Sequence, residues 1–154
     1  MSEPTKVAHI LAAKDPTITT IKPSDTVGAL SQRLREKRIG AAVVTRDGNA
    51  IDGVISERDI AYALAKHNSN LHALPVSALM TTAVVTCTPD DSIATVASTM
   101  LARNIRHLVV TADDRLVGMI SMRDVLNLRL DELQRQTNML RAFVRETDRE
   151  PQDR

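Results

Sequence analysis

Apolar residues recur along this chain at two periods, and the two alternate in a fixed order. Val27, Leu30 and Leu34 share one face of a helix predicted from about residue 25 to 37. Ile93, Val96, Ala97 and Met100 do the same for about 91 to 103. After each helix come two short runs that are apolar throughout and split by a polar turn: Ala41 to Thr45 with Ile51 to Ile55, and His107 to Thr111 with Leu116 to Ile120. Such runs suit strands buried on both faces. Short strands at Thr17 to Ile21 and Ala83 to Thr88 precede the helices, each closed by a proline. A second helix is expected after Ser56 and again after Ser121. Val7 to Ala13 reads as a short amphipathic helix. Glu3, Pro4 and His9 interrupt it too much for a signal peptide. Lys66 to Pro75, containing Asn68-Ser69-Asn70, reads as a linker.

The order repeats because the sequence repeats. Pro23-Ser24-Asp25-Thr26-Val27 returns as Pro89-Asp90-Asp91-Ser92-Ile93. Ile39-Gly40-Ala41-Ala42-Val43-Val44-Thr45 returns as Ile105-Arg106-His107-Leu108-Val109-Val110-Thr111, both 66 residues on. Gly53-Val54-Ile55-Ser56-Glu57-Arg58-Asp59 returns as Gly118-Met119-Ile120-Ser121-Met122-Arg123-Asp124, 65 residues on. The one-residue slip falls between Asp47-Gly48-Asn49-Ala50 and Asp113-Asp114-Arg115, turn residues where a length change costs least. Units of about 60 residues are small for a core of their own, so the halves should pack face to face. Beyond the second unit, Leu126, Leu130, Leu133, Thr137, Leu140 and Val144 are spaced 4-3-4-3-4, and Pro151 with a charged tail ends the run. The stripe reads either as a helix packing on its own module or as a homodimer contact.

Composition narrows the functions. Of 154 residues 43% are hydrophobic and 25% charged, an ordinary globular balance, and the net charge is +1. No global field draws in nucleic acid or anionic membrane. One tyrosine, one phenylalanine and no tryptophan leave no aromatic platform for stacking bases. A planar ligand would lie between aliphatic side chains and backbone. Cys87 is the single cysteine, which excludes an internal disulfide and suits a reducing, cytoplasmic setting. No apolar run approaches the length of a membrane helix.

Two copies of Gly-x-x-Ser-x-x-Asp, each preceded by Pro-x-Asp-(Thr/Ser) and Ile-x-x-x-Val-Val, resemble a tandem pair of cystathionine-β-synthase (CBS) domains, a Bateman module. Val76-Ser77-Ala78-Leu79-Met80-Thr81 also resembles the start of such a domain. The resemblance covers residues 7 to about 130. It implies an α+β (α/β two-layer) fold of two pseudo-two-fold-related repeats, each a small sheet flanked by helices. The expected division is repeat 1 at 7–66, linker 67–75, repeat 2 at 76–130, then a helical extension and charged tail over 131–154. It further implies two clefts between the repeats that hold an adenosine-containing ligand of the AMP, ADP or ATP kind, with Mg²⁺ left open and no redox cofactor. The module is expected to be regulatory, not catalytic, to pair as a homodimer, and to signal to an effector protein.

The candidate binding residues follow from that resemblance and from chemistry. Asp59 and Asp124 stand where a strand gives way to a helix, and one carboxylate can accept from both hydroxyls of a ribose. Arg58 and Arg123 match family positions that face phosphate. Ser56 and Ser121 match positions lining the cleft. Ser-x-x-Asp at a helix start also reads as a capping box, which needs no ligand. Arg106 and His107 match basic positions that reach phosphate from the opposing repeat, where repeat 1 has Gly40-Ala41. Asp59 is therefore expected to face Arg106 and His107, and Asp124 to face Gly40 and Ala41. Arg106 as a surface residue and His107 as a half-buried strand-edge histidine is the competing reading. Thr20 and Thr86 match a strand that contacts base or ribose, although threonine is also simply a good strand former. Ile39, Ile105, Val54 and Met119 are candidate aliphatic walls.

Other signals carry little. His67 and His72 lack accompanying ligands for a metal. Cys87 has no activating partner in sequence and reads as a buried thiol. There is no Gly-x-Gly-x-x-Gly and no Walker-type loop, and 154 residues leave no room for a catalytic domain beside the repeats. Two functions remain: a ligand-sensing module, or an interaction dimer with vestigial clefts.

Overall fold

A computed structural model describes residues 3–148. Helices begin and end where short polar residues permit. Thr26 accepts the Ala29 N–H at the start of α2 (Val27–Lys37), and Ser92 accepts the Thr95 N–H at the start of α4 (Ile93–Arg103). Each ends on a left-handed residue, Arg38 at φ 54° and Asn104 at φ 51°, whose backbone N–H caps the last carbonyls. The second pair, α3 (Glu57–His67) and α5 (Met122–Thr147), opens with Ser56 and Ser121 in reciprocal boxes with Asp59 and Asp124.

Each unit builds a three-stranded sheet. β1 (Thr20–Ile21) runs parallel to β2 (Ala41–Val44), which pairs antiparallel with β3 (Gly53–Ser56). β4 (Thr86–Cys87), β5 (His107–Ala112) and β6 (Arg115–Ser121) repeat that order. The first strands are shorter than expected, two residues each, because only those residues reach the ladder of the neighbouring strand. The hairpin slip is absorbed by turns: Asp113 and Asp114 take positive φ, and a bulge sits at Val110/Thr111. Ala42, Val44 and Ile55 face Leu30 and Leu34 in one core. Leu108, Val110 and Ile120 face Ile93, Val96 and Met100 in the other.

The two leading segments are exchanged in space. α1 (Val7–Ala13) buries Val7 and Ile10 in the core of the second unit, while the 3-10 turn Val76–Ala78 buries Val76 in the core of the first. Main-chain bonds mirror one another: Val7 N–H donates to Asp91 O and Ile93 N–H to Thr5 O (both 2.9 Å). Val76 N–H donates to Asp25 O (2.7 Å) and Val27 N–H to Leu74 O (2.8 Å). The segment expected as a linker is ordered as a 3-10 turn, Asn68–Ala73, because Leu71 buries itself against Val27 and Ala63.

α5 is 26 residues long and continues past the end of the second unit. Only Val125 of it is buried, and Leu126, Leu130, Leu133, Leu140 and Val144 are each more than half exposed. Thr5 Oγ1 bonds Glu132 and ties the amino-terminal segment to this helix. Pro151 and most of the charged tail lie outside the described residues.

Candidate functional site

Two related hollows open between the units. The first, about 240 Å³, gathers Ser56, Arg58 and Asp59 from the β3–α3 junction and Arg106 and His107 from the opposing repeat. Val54 and Ile105 supply aliphatic wall, and residues 83–85 close one side. Asp59 Oδ2 accepts the Ser56 N–H (2.8 Å) and the Ser56 hydroxyl (3.0 Å). Its Oδ1 has no hydrogen-bond partner among the described residues, and no cation contacts the carboxylate. Arg58 Nη1 donates across the interface to Asn104 O (3.3 Å). Arg106 is exposed at the rim.

The second cleft, about 840 Å³, places Asp124, Ser121 and Arg123 opposite Gly40, Ala41 and Arg38. It adjoins a hollow of about 450 Å³ lined by Thr17, Ile18, Thr19 and Met119. Asp124 Oδ2 accepts the Ser121 N–H (2.8 Å) as its counterpart does, but it also accepts Lys14 Nζ at 2.8 Å. Burial pushes the Asp124 pKa up; the Lys14 hydrogen bond, the Ser121 N–H and the Lys14 charge outweigh it, so the net shift is downward.

His107 lines both clefts, beside Gly40 and Glu57, which also line both. Burial is the main force on its imidazole and lowers its pKa below 6.5. Glu57 and Asp124 oppose this; Lys14 and Arg106 add to it. A Cβ on Gly40 would stand 3.3 Å from Glu57 Oε1 and 3.4 Å from His107 Cε1, so a larger residue here would press on both side chains.

The structure thus gathers Ser56, Arg58, Asp59, Arg106 and His107 in one cleft, and Ser121, Arg123 and Asp124 in the other with His107 between. Thr20 and Thr86 are not among the residues lining these three hollows. Thr20 uses its carbonyl to hold Arg33 Nη1 (2.6 Å), and Thr86 sits exposed in its two-residue strand. The chain faces the clefts just before the ladder begins, at Thr17–Thr19 and Ala83–Val85. Lys14, Glu57 and Asn104 also line the clefts without having been candidates: Lys14 and Asn104 lie outside the motifs, and Glu57 is an unspecified position within one. The duplication was the usable signal for Asn104, the counterpart of the left-handed Arg38. Cys87 is buried, and burial with the nearby Asp91 charge pushes its thiol up to about 11, an unreactive setting.

The model of the CBS domain family matches residues 7–66 and 76–131. A CBS-domain containing protein from Agrobacterium tumefaciens superposes with a TM-score of 0.79 at 30% identity, over 84% of this chain and 96% of that one. A CBS domain protein from Pyrobaculum aerophilum, complexed with AMP, gives 0.68 at 30% identity over 77% and 88%. The CBS domain pair of protein MJ0100, in complex with 5′-methylthioadenosine and S-adenosyl-L-methionine, gives 0.74 at 27% over 84% and 99%. The chain spans 74% of one curated relative, from Acidianus ambivalens, and 57% of another, from Methanopyrus kandleri.

Proposed function

From the premise that this chain belongs to the CBS-domain family, as a tandem pair of such domains, we propose that it is a regulatory module binding an adenosine-containing ligand with a 5′-phosphate, of the AMP, ADP or ATP kind. The observation that carries the reading is the Asp59 cleft. A carboxylate with one unengaged oxygen stands opposite Arg106 and His107 of the other repeat, with aliphatic walls between. The carboxylate suits the ribose hydroxyls, and the basic rim suits the phosphate. Mg²⁺ would arrive with a polyphosphate: no group of three or more His, Cys, Asp or Glu among the described residues is placed to hold a metal. AMP in the Pyrobaculum relative supports the phosphorylated class, and methylthioadenosine with S-adenosylmethionine in MJ0100 supports adenosine recognition more broadly.

The reading assigns the chain no catalysis. It places the module in the cytoplasm, where adenine nucleotides are met. Its output is a change in how the repeats pack, or how two chains pair through α5, read by an effector protein. No helix among the described residues is long and apolar enough to cross a membrane. The alternative, an interaction dimer with vestigial clefts, draws support from one observation: both Ser–Asp capping boxes are complete without a ligand.

Calorimetric titration separates the two. Asp59→Asn should weaken AMP binding by roughly 10- to 100-fold, the equivalent of losing charge-assisted hydrogen bonds worth about 1.5–3 kcal/mol. Wild-type protein that takes up no AMP, ADP or ATP at millimolar concentration would favour the interaction dimer.

A further inference from the structure

The two clefts are related by the repeat but are not chemically equal, and at the acidic motif itself they differ by one cationic side chain. In the first unit the edge of β3 is closed by main chain: Thr81 N–H donates to Val54 O (2.9 Å), and Val54 N–H returns a bond to Thr81 O (3.0 Å). The counterpart positions, Asp15 and Met119, make no such bridge. Met119 O instead accepts Lys14 Nζ at 2.9 Å, and the same ammonium reaches Asp124 Oδ2 at 2.8 Å. Lys14 therefore spans from the strand edge to the carboxylate, across the space where a ribose would approach. Its repeat counterpart is Met80, an apolar residue packed against the first core that leaves Asp59 without a cation.

We infer that Lys14 is a built-in occupant of the second cleft and sets the module's binding stoichiometry at one nucleoside ligand per chain, in the Asp59 cleft. Ribose hydroxyls are neutral donors, while Lys14 offers the same carboxylate an opposite charge as well as a donor, in an ion pair already formed inside the chain. The two groups are partly shielded, with side-chain exposures of 35% for Lys14 and 21% for Asp124, so solvent screens the pair less than it would a surface one. A ligand entering there has to displace an ammonium held at both ends. A ligand entering the first cleft meets an Asp59 carboxylate that carries no ammonium.

This inference rests on the adenosine reading for its probe, and the experiment keeps the two apart. AMP is titrated calorimetrically into the full-length chain and into Lys14→Met, which installs the residue type of the first repeat. One AMP per wild-type chain and two per Lys14→Met chain are expected. Asp124→Asn added to Lys14→Met should return the count to one. Two per wild-type chain, or no second site in Lys14→Met, overturns the role of Lys14 while leaving the nucleotide reading intact. No binding by wild type but one AMP per Lys14→Met chain, lost with Asp124→Asn, overturns the Asp59 site and sustains the occupant. No binding by either overturns both. Should Lys14→Met fold poorly, Lys14→Gln keeps a neutral side chain of similar length, and the same counts apply. Carboxylate NMR supplies a ligand-free check: the Asp124 titration midpoint should rise when Lys14 is replaced, and an unmoved midpoint counts against the pair.

Discussion

Asp59 and Asp124 occupy the same place in their repeats and meet different surroundings. Each uses Oδ2 to close its own helix cap while its carboxylate also lies on a cleft wall, and on Asp124 that oxygen takes Lys14 Nζ as well. That dual use is why Gly-x-x-Ser-x-x-Asp supported two readings in sequence: the local bond and the cleft position coexist. His107 carries the pH dependence at this scale. Its pKa is depressed by burial, so the neutral ring is the folded form; stability from it is full above about pH 6.5 and declines as pH falls below that value toward the folded pKa. A phosphate seated beside the ring would favour the imidazolium. AMP binding to wild type should therefore take up a fraction of a proton near neutral pH, measured from binding heats in buffers of different ionisation enthalpy. His107→Gln should take up less. Equal uptake by both proteins would place the phosphate elsewhere.

At the scale of elements, the Ser56 and Ser121 caps and the succession of elements in each unit were legible, because each serine acts within three residues of itself and each repeat shows the same pattern. The exchange of leading segments was not, since no local rule states which core Val7 or Val76 will enter. Two glycines mark where those segments press on the sheets. A Cβ on Gly53 would lie 2.8 Å from Thr81 O, a backbone atom held in the β3-edge bridge, and 3.0 Å from Met80 Sδ. A Cβ on Gly118 would lie 2.7 Å from Leu11 Cδ2, the end of a side chain that can rotate away. Gly53→Ala should accordingly destabilise by about 1–3 kcal/mol in denaturant unfolding, and Gly118→Ala by distinctly less. The reverse ranking would mean that the Thr81 bridge yields more readily than Leu11.

For the whole molecule, the clefts and α5 are the two means by which a ligand could change what another protein meets. Coupling between the clefts has a physical route in Gly40, Glu57 and His107, which line both. Its size is bounded by how differently the ligand binds the two arrangements of the repeats. The stripe on α5 is exposed along its length, with Phe143 and Met139 beside it. If two chains pair through it, Leu133→Glu with Leu140→Glu should halve the mass seen by light scattering while leaving AMP binding in place. A double variant with unchanged mass would assign the stripe to some other contact.

The amino-acid sequence determined the duplication, the order of elements in each unit and the two Ser–Asp caps. These are set by neighbours close along the chain or by comparison of one repeat with the other. Tertiary structure alone decided that the leading segments cross over, that residues just ahead of β1 and β4 line the hollows, and that Lys14 reaches Asp124. Those outcomes depend on which surfaces remain to be covered once both sheets have formed. A lysine 110 positions from its carboxylate gives no periodic or motif signal before the chain has folded.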